Sequence, residues 1–203
     1  MRISLPTRLP WTRLPLYFGI IAVIFAGIII GVSWALNPWF VFTKNAFSDF
    51  GGPQSSCPEL YNYGLIVTGL LVIIYSLAIY SLAKNKMEIL GCAYMALAGV
   101  FLALIGVFPT GTEPHGFVSV WFFLQMYLAL IILGLGMQNR GLKFGKETTV
   151  IAAIAVPLAI VIDLLWGWPS AAVLEAYGII LIGICTVLVS VAYLGLAKAS
   201  RRG

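Results

Sequence analysis

AAVLEAYGIILIGICTVLVSVAYLGLA, residues Ala171–Ala197, decides the class of this protein. The run carries a single charged side chain, Glu175. It is longer than the roughly 20 residues that a helix needs to cross the hydrocarbon of a bilayer. Working outward from it, five similar runs precede it, at about Leu16–Leu36, Tyr61–Ala83, Ile89–Phe108, Phe117–Met137 and Val150–Gly167. All are continuous rather than alternating in polarity, which argues for helices and against the strands of a barrel. Apolar residues make up 61% and charged residues 9% of the 203. Soluble domains hold roughly 45–50% and 25%, and no soluble fold of this size hides that much apolar surface. The mean hydropathy is +1.02. These features predict an all-α, polytopic membrane protein: one domain over residues 1–203, a bundle of six transmembrane helices, with N- and C-termini inside.

Orientation follows from the basic residues, which concentrate on the cytoplasmic side of membrane proteins. With the N-terminus inside, the inner segments carry Arg2, Arg8, Arg13, Lys84, Lys86, Arg140, Lys143, Lys146, Lys198, Arg201 and Arg202, whereas the outer side holds Lys44 alone. Trp34, Trp39, Trp121, Trp166 and Trp168 fall at outer ends, where an amphipathic ring anchors to headgroups, and Trp11 marks the inner side. The expected location is a cell membrane, multi-pass, with cytoplasmic termini. The first run is too long for a signal-peptide core and ends in a poor cleavage site, so it reads as an uncleaved helix. The net charge of +5 is the positive-inside bias rather than a nucleic-acid signal. Membrane lipids are the expected partners, and no nucleic acid is. Cys57, Cys92 and Cys185 are too dispersed to suggest a disulfide framework.

The inner connections read as short basic loops, Lys84–Glu88 and Asn139–Glu147, and Trp168-Pro169-Ser170 as a tight outer turn between antiparallel helices. No internal repeat of the kind found in transporters is visible, since Pro157 in the fifth span has no counterpart in the second. Gly27 and Gly31 form a small-x-x-x-small pair, expected to pack inside the bundle rather than to make a dimer face. The outer segment 37–60 differs from the other loops. Trp39, Phe40, Phe42, Phe47 and Phe50 would be costly in water, which predicts an interfacial or re-entrant segment capping the bundle.

Five of the seven acids fall on the outer side: Asp49, Glu59, Glu113, Asp163 and Glu175, joined by His115, the sole histidine. Asp163 lies about one turn below the outer end of the fifth span. An acid at mid-helix costs on the order of 2.5–3.5 kcal/mol to insert, less near the interface, and normally faces the bundle interior or a wet cavity. A helix-end acid reaching water is the plainer alternative. Glu175 lies about as deep in the sixth span, so the tight turn brings the two acids to similar depth, unless Glu175 simply complements its own helix N-terminus. His115 opens the fourth helix beside Glu113, in a loop stiffened by two prolines, and is equally readable as an ordinary loop residue. Ser48 and Asp49 set a hydroxyl beside a carboxylate, a pattern that caps turns as often as it does chemistry. With His115 they supply the parts of a nucleophile–base arrangement. Asp49, Glu113 and His115 are the ligands for a metal, if there is one; a three-histidine zinc site is excluded. Walker, dinucleotide-binding and Cys-x-x-Cys motifs are absent, and the sequence names no cofactor.

Asn45-x-x-Ser48-Asp49-x-Gly51 after the first span, Gly106-x-Phe108-Pro109 ending the third and His115 opening the fourth resemble a six-helix membrane family catalogued as domain of unknown function 998. The resemblance covers nearly the whole chain and implies a six-span membrane protein without an established activity. Ser48-Asp49-Phe50-Gly51 and Pro58-Glu59 resemble, more distantly, the Frag/DRAM/Sfk membrane family, which implies a link to membrane lipid handling. Three functions then compete. The first is binding or handling of a lipid or small amphiphile in an outward-facing cluster of Asn45, Asp49, Glu59, Glu113, His115, Asp163 and Glu175. The second is an intramembrane hydrolase or acyltransferase on lipid heads, with His115 as base, Asp49 as its orienter and Ser48 as nucleophile. The third is an ion- or proton-coupled transporter, which would need polar groups in the inner halves of the spans.

Overall fold

A computed structural model describes residues 14–199. Six helices cross the bundle: α1 (Phe18–Leu36), α2 (Pro58–Tyr80), α3 (Lys86–Val107), α4 (His115–Asn139), α5 (Gly145–Trp166) and α6 (Ala171–Ala199). Short 3-10 turns at Leu14–Tyr17 and Phe47–Gly51 complete the regular structure, and no strand occurs among the described residues. All six helices are long and apolar enough to span a membrane. Arg2, Arg8, Trp11, Arg13, Arg201 and Arg202, which contribute to the orientation argument, lie outside the described residues.

Each helix packs on the next, and α6 returns to α1 to close the ring, with α4 also touching α6. Small residues set how closely backbones approach. A Cβ on Gly69 would collide with the Gly99 carbonyl of α3, and one on Gly134 would lie 2.9 Å from the Gly145 carbonyl of α5. Van der Waals contact of this kind drives helix association where lipid and protein are equally apolar. Gly27 and Gly31 behave otherwise. A Cβ at either would meet nothing within 4 Å, and both are exposed, so the expected packing inside the bundle is not found. The pair points outward from α1, alongside exposed Ile24, Ile28 and Val32.

Three boundaries at the basic end differ from the sequence expectation. The helix α5 starts at Gly145 rather than near Val150, because Phe144 takes a left-handed conformation (φ 64°) that ends the turn and lets Lys146–Thr149 wind as helix. α2 stops at Tyr80, and α3 begins at Lys86, capped by Asn85. Glu88, expected on an exposed basic loop, is instead fully buried. Its carboxylate accepts from the backbone N–H groups of Lys84 and Asn85, while Asn85 Oδ1 accepts from the Glu88 N–H at 2.9 Å, a reciprocal capping box. The same carboxylate pairs with Arg140 at 3.1 Å and accepts from the Tyr193 hydroxyl at 2.8 Å. Arg140 also donates to the Leu82 carbonyl, and the Asn85 amide to that of Gly136. This basic end of the bundle is thus clasped by α3, α4 and α6 around one buried acid.

The opposite end is covered by residues 37–57. Phe40, Phe47 and Phe50 are buried, with ring centroids 4.4–6.2 Å apart, and Phe50 meets Tyr61 of α2 edge-on at 5.8 Å. Asn37, 1% exposed, anchors both ends of the segment. Its amide donates to the Ser33 carbonyl, and its Oδ1 accepts from Trp39 Nε1 and the Ser56 N–H. The aromatic-rich stretch therefore folds into a cap, as its composition predicts.

Candidate functional site

Under the cap lies a cavity of about 120 Å³ in the middle of the ring, walled by α1, α2, α3, α4 and α6. Along α6 its lining runs from Glu175 to Thr186, which at ~1.5 Å per residue is about 16 Å. Length against volume makes it a slot rather than a chamber. The walls are mostly aliphatic and aromatic: Ala26 and Ile30 of α1, Leu65 and Val72 of α2, Phe122 and Met126 of α4, Ile179 and Ile182 of α6. Polar groups gather where the slot meets the cap, namely Ser48, Tyr61, Ser119 and Glu175; the hydroxyls of Thr68 and Thr186 lie deeper. The small side chains of Ala22 and Ala26 on α1 leave the space that the slot occupies.

Glu175 is half-buried and holds the cap to α6. The Phe47 N–H donates to its Oε2 at 2.6 Å, and the hydroxyl and N–H of Ser48 lie against the same carboxylate. Neighbouring bonds reinforce the junction: the Ala172 N–H donates to the Asn45 carbonyl at 2.9 Å, and the Ser170 hydroxyl to that of Phe42 at 2.6 Å. Asn45 Oδ1 accepts from the Val41 N–H, so this residue closes the loop and does not reach the slot. Asp49 folds back to accept from the Ala46 N–H at 2.8 Å, capping the 3-10 turn, and its charge is felt by both Glu175 and Tyr61.

His115 has both ring nitrogens engaged, Nδ1 with the Phe108 carbonyl at 2.8 Å and Nε2 with Thr110 Oγ1 at 3.3 Å. Thr110 in turn donates to the Ser48 carbonyl at 2.8 Å. The histidine thus braces the α3–α4 loop against the cap through a threonine, and neither Asp49 nor the Ser48 hydroxyl forms a hydrogen bond with it. Glu59 and Glu113 are exposed. Asp163 is exposed too, on the outside of α5 beside Leu164 and Trp166, and α5 lines no part of the slot. The carboxylate sharing the surroundings of Glu175 is therefore Asp49 rather than Asp163. Asp49, Glu113 and His115 do not assemble as ligands: among the described residues no group of three or more His, Cys, Asp or Glu could hold a metal. In the basic half Ser76 and Ser81 turn to their own helix carbonyls, Gln138 to Thr149 and Ser190 to Tyr75, while the Thr148 hydroxyl is buried without a partner.

Sequence reasoning reached Ser48 and Glu175, and Thr186 only as a polar group in the inner half of its span, but missed Tyr61, Thr68 and Ser119. Only Ser119 carried a signal, one helical turn beyond His115. The others are ordinary span residues until the helices are assembled.

A family model described as "Protein of unknown function (DUF998)" matches residues 20–192. The chain belongs to the DUF998 family. The matched stretch begins within α1 and ends within α6, so this DUF998 protein carries the cap, nearly all of the slot lining and the Glu88–Arg140 pair inside the family region. No curated protein and no solved structure matches it.

Proposed function

We propose that this DUF998 protein binds a single-chain amphiphile within the membrane, the chain lying in the slot and the polar head held at Glu175 beneath the cap. The polarity gradient along the cavity carries the reading: aliphatic and aromatic walls for about three turns of α6, with Ser48, Tyr61 and Glu175 gathered at one end. Ligand sites in proteins have this composition, a mainly apolar lining with a few placed polar groups. Size limits the occupant to one slender chain, since the slot, at about 120 Å³, is smaller than the roughly 150 Å³ apolar cavity that accepts a benzene ring. In this reading the cap faces outward in a cell membrane and the termini are cytoplasmic, because the excess of Lys and Arg lies at the other end.

The reading is tested by photo-crosslinking. A long-chain alcohol bearing a diazirine on its chain is added to the detergent-purified protein, and labelled residues are mapped by mass spectrometry. Labelling is expected on Phe122, Met126 and Ile179, and loss of that labelling in Ala26→Phe, whose ring fills the slot from α1. Labelling confined to outward residues such as Leu164 and Leu165 overturns the proposal.

A further inference from the structure

The slot admits an amphiphile; the chemistry at its polar end narrows which one. Resting on the reading above, we infer that the preferred head is a cationic amine, an alkylammonium, and that Glu175 selects it. Three observations converge. The first is charge balance. Glu175 stands in the slot wall with Asp49 close enough to repel it, yet among the described residues neither carboxylate has a Lys or Arg partner. The one ion pair among the described residues is Glu88–Arg140, at the other end of the bundle. Lys44 is exposed, and His115 is occupied by Phe108 and Thr110. A carboxylate in the wall of an apolar slot, with a second carboxylate nearby and no cation to answer it, attracts a positive head and repels a fatty acid or a phosphate monoester.

The second is acceptor capacity. A carboxylate offers about four acceptor positions. The cap supplies the Phe47 N–H, the Ser48 N–H and the Ser48 hydroxyl. At least one position remains for a ligand donor, and a charged donor makes the stronger bond. The third is the surrounding surface. Phe47, Tyr61, Phe122 and Phe123 all line the slot, and aromatic faces attract cations through their quadrupole. A carboxylate in the wall of an apolar slot whose lining includes aromatic rings fits an ammonium attached to a hydrocarbon chain. The established role of Glu175 in holding the cap is compatible with this, because the backbone donors and the ligand use different lone pairs.

Three photoactivatable probes of identical chain, differing only in head, make the test: primary ammonium, hydroxyl and carboxylate. Slot labelling by the ammonium probe is expected at concentrations about tenfold lower than for the hydroxyl probe, the factor by which a charge-assisted bond exceeds a neutral one, and the carboxylate probe is expected to label least. Glu175→Gln keeps an acceptor for the Phe47 N–H, so the cap persists; this variant is expected to label equally with ammonium and hydroxyl heads. Equal labelling by all three heads in the unmodified protein overturns the ammonium inference and leaves the slot reading intact. Absence of slot labelling with every head overturns both. An ammonium preference that survives in Glu175→Gln removes Glu175 as the selecting group.

Discussion

Glu88 and Glu175 sit near the first turns of α3 and α6, at opposite ends of the bundle, and the fold treats the two acids in opposite ways. Glu88 is fully buried and saturated: two backbone N–H groups, a guanidinium and a phenol answer its charge. Glu175 is half-buried, answered by donors of the cap with no cation, and borders a cavity. A saturated acid between helices is a clasp, because nothing remains for a ligand to do. An acid with spare acceptor capacity beside an apolar slot is positioned to receive one. The difference teaches that a charged residue inside a membrane bundle is not by itself a functional sign; its unmet valence is.

Substitutions sharpen the contrast. The largest effect is expected at the clasp. Arg140→Met strands the fully buried Glu88 carboxylate and should cost about 3–5 kcal/mol, and Glu88→Ala, which strands the partly exposed Arg140, should cost less, both read as a lowered unfolding midpoint in detergent; an unchanged midpoint in both would show that the clasp contributes nothing. Phe50→Ala should follow at about 3 kcal/mol, since a fully buried ring leaves a void in the cap. The same variant should also loosen slot labelling, which Arg140→Met should spare until the protein unfolds. Tyr193→Phe removes a single donor to a charged acceptor and should cost about 1.5–3 kcal/mol in the same unfolding measurement. At the small end, Gly31→Ala faces open space and should be neutral or stabilising by up to about 1 kcal/mol, as in an exposed helix. Gly69→Ala, which would collide with the α3 backbone, should be severely destabilising. If the two glycine variants prove alike, the assignment of Gly31 to the outside of the bundle is wrong.

The capped end was far more legible in the sequence than the clasp. Trp39, Phe40, Phe42, Phe47 and Phe50 announce a segment that cannot stay in water, and the cap follows from their composition alone. Ser48 and Glu175 could be picked out as polar groups beside or within apolar runs. What could not be seen is that they meet, because the bond between Phe47 and Glu175 spans 128 positions. Lys84, Lys86 and Glu88 look like a solvated basic turn, and Arg140 and Tyr193 lie 52 and 105 positions from Glu88. Asp163 illustrates the reverse error of expectation. Its depth in an apolar run suggested an interior acid, yet α5 stands at the periphery of the ring, and the residue faces outward.

The amino-acid sequence by itself determined that this protein has six apolar helices, where they start and stop to within a few residues, and that one connecting segment covers the bundle. Those features follow from the solvent each stretch can tolerate, which is local information. Only the tertiary structure decided which helix faces meet, that α5 is excluded from the slot, that Glu88 is sealed and that Glu175 opens onto a cavity. The reason is physical. In a bilayer the lipid and the protein interior are equally apolar, so a helix carries little record of which side is buried. Close packing of small residues and long-range hydrogen bonds make that choice, and neither exists until the helices assemble.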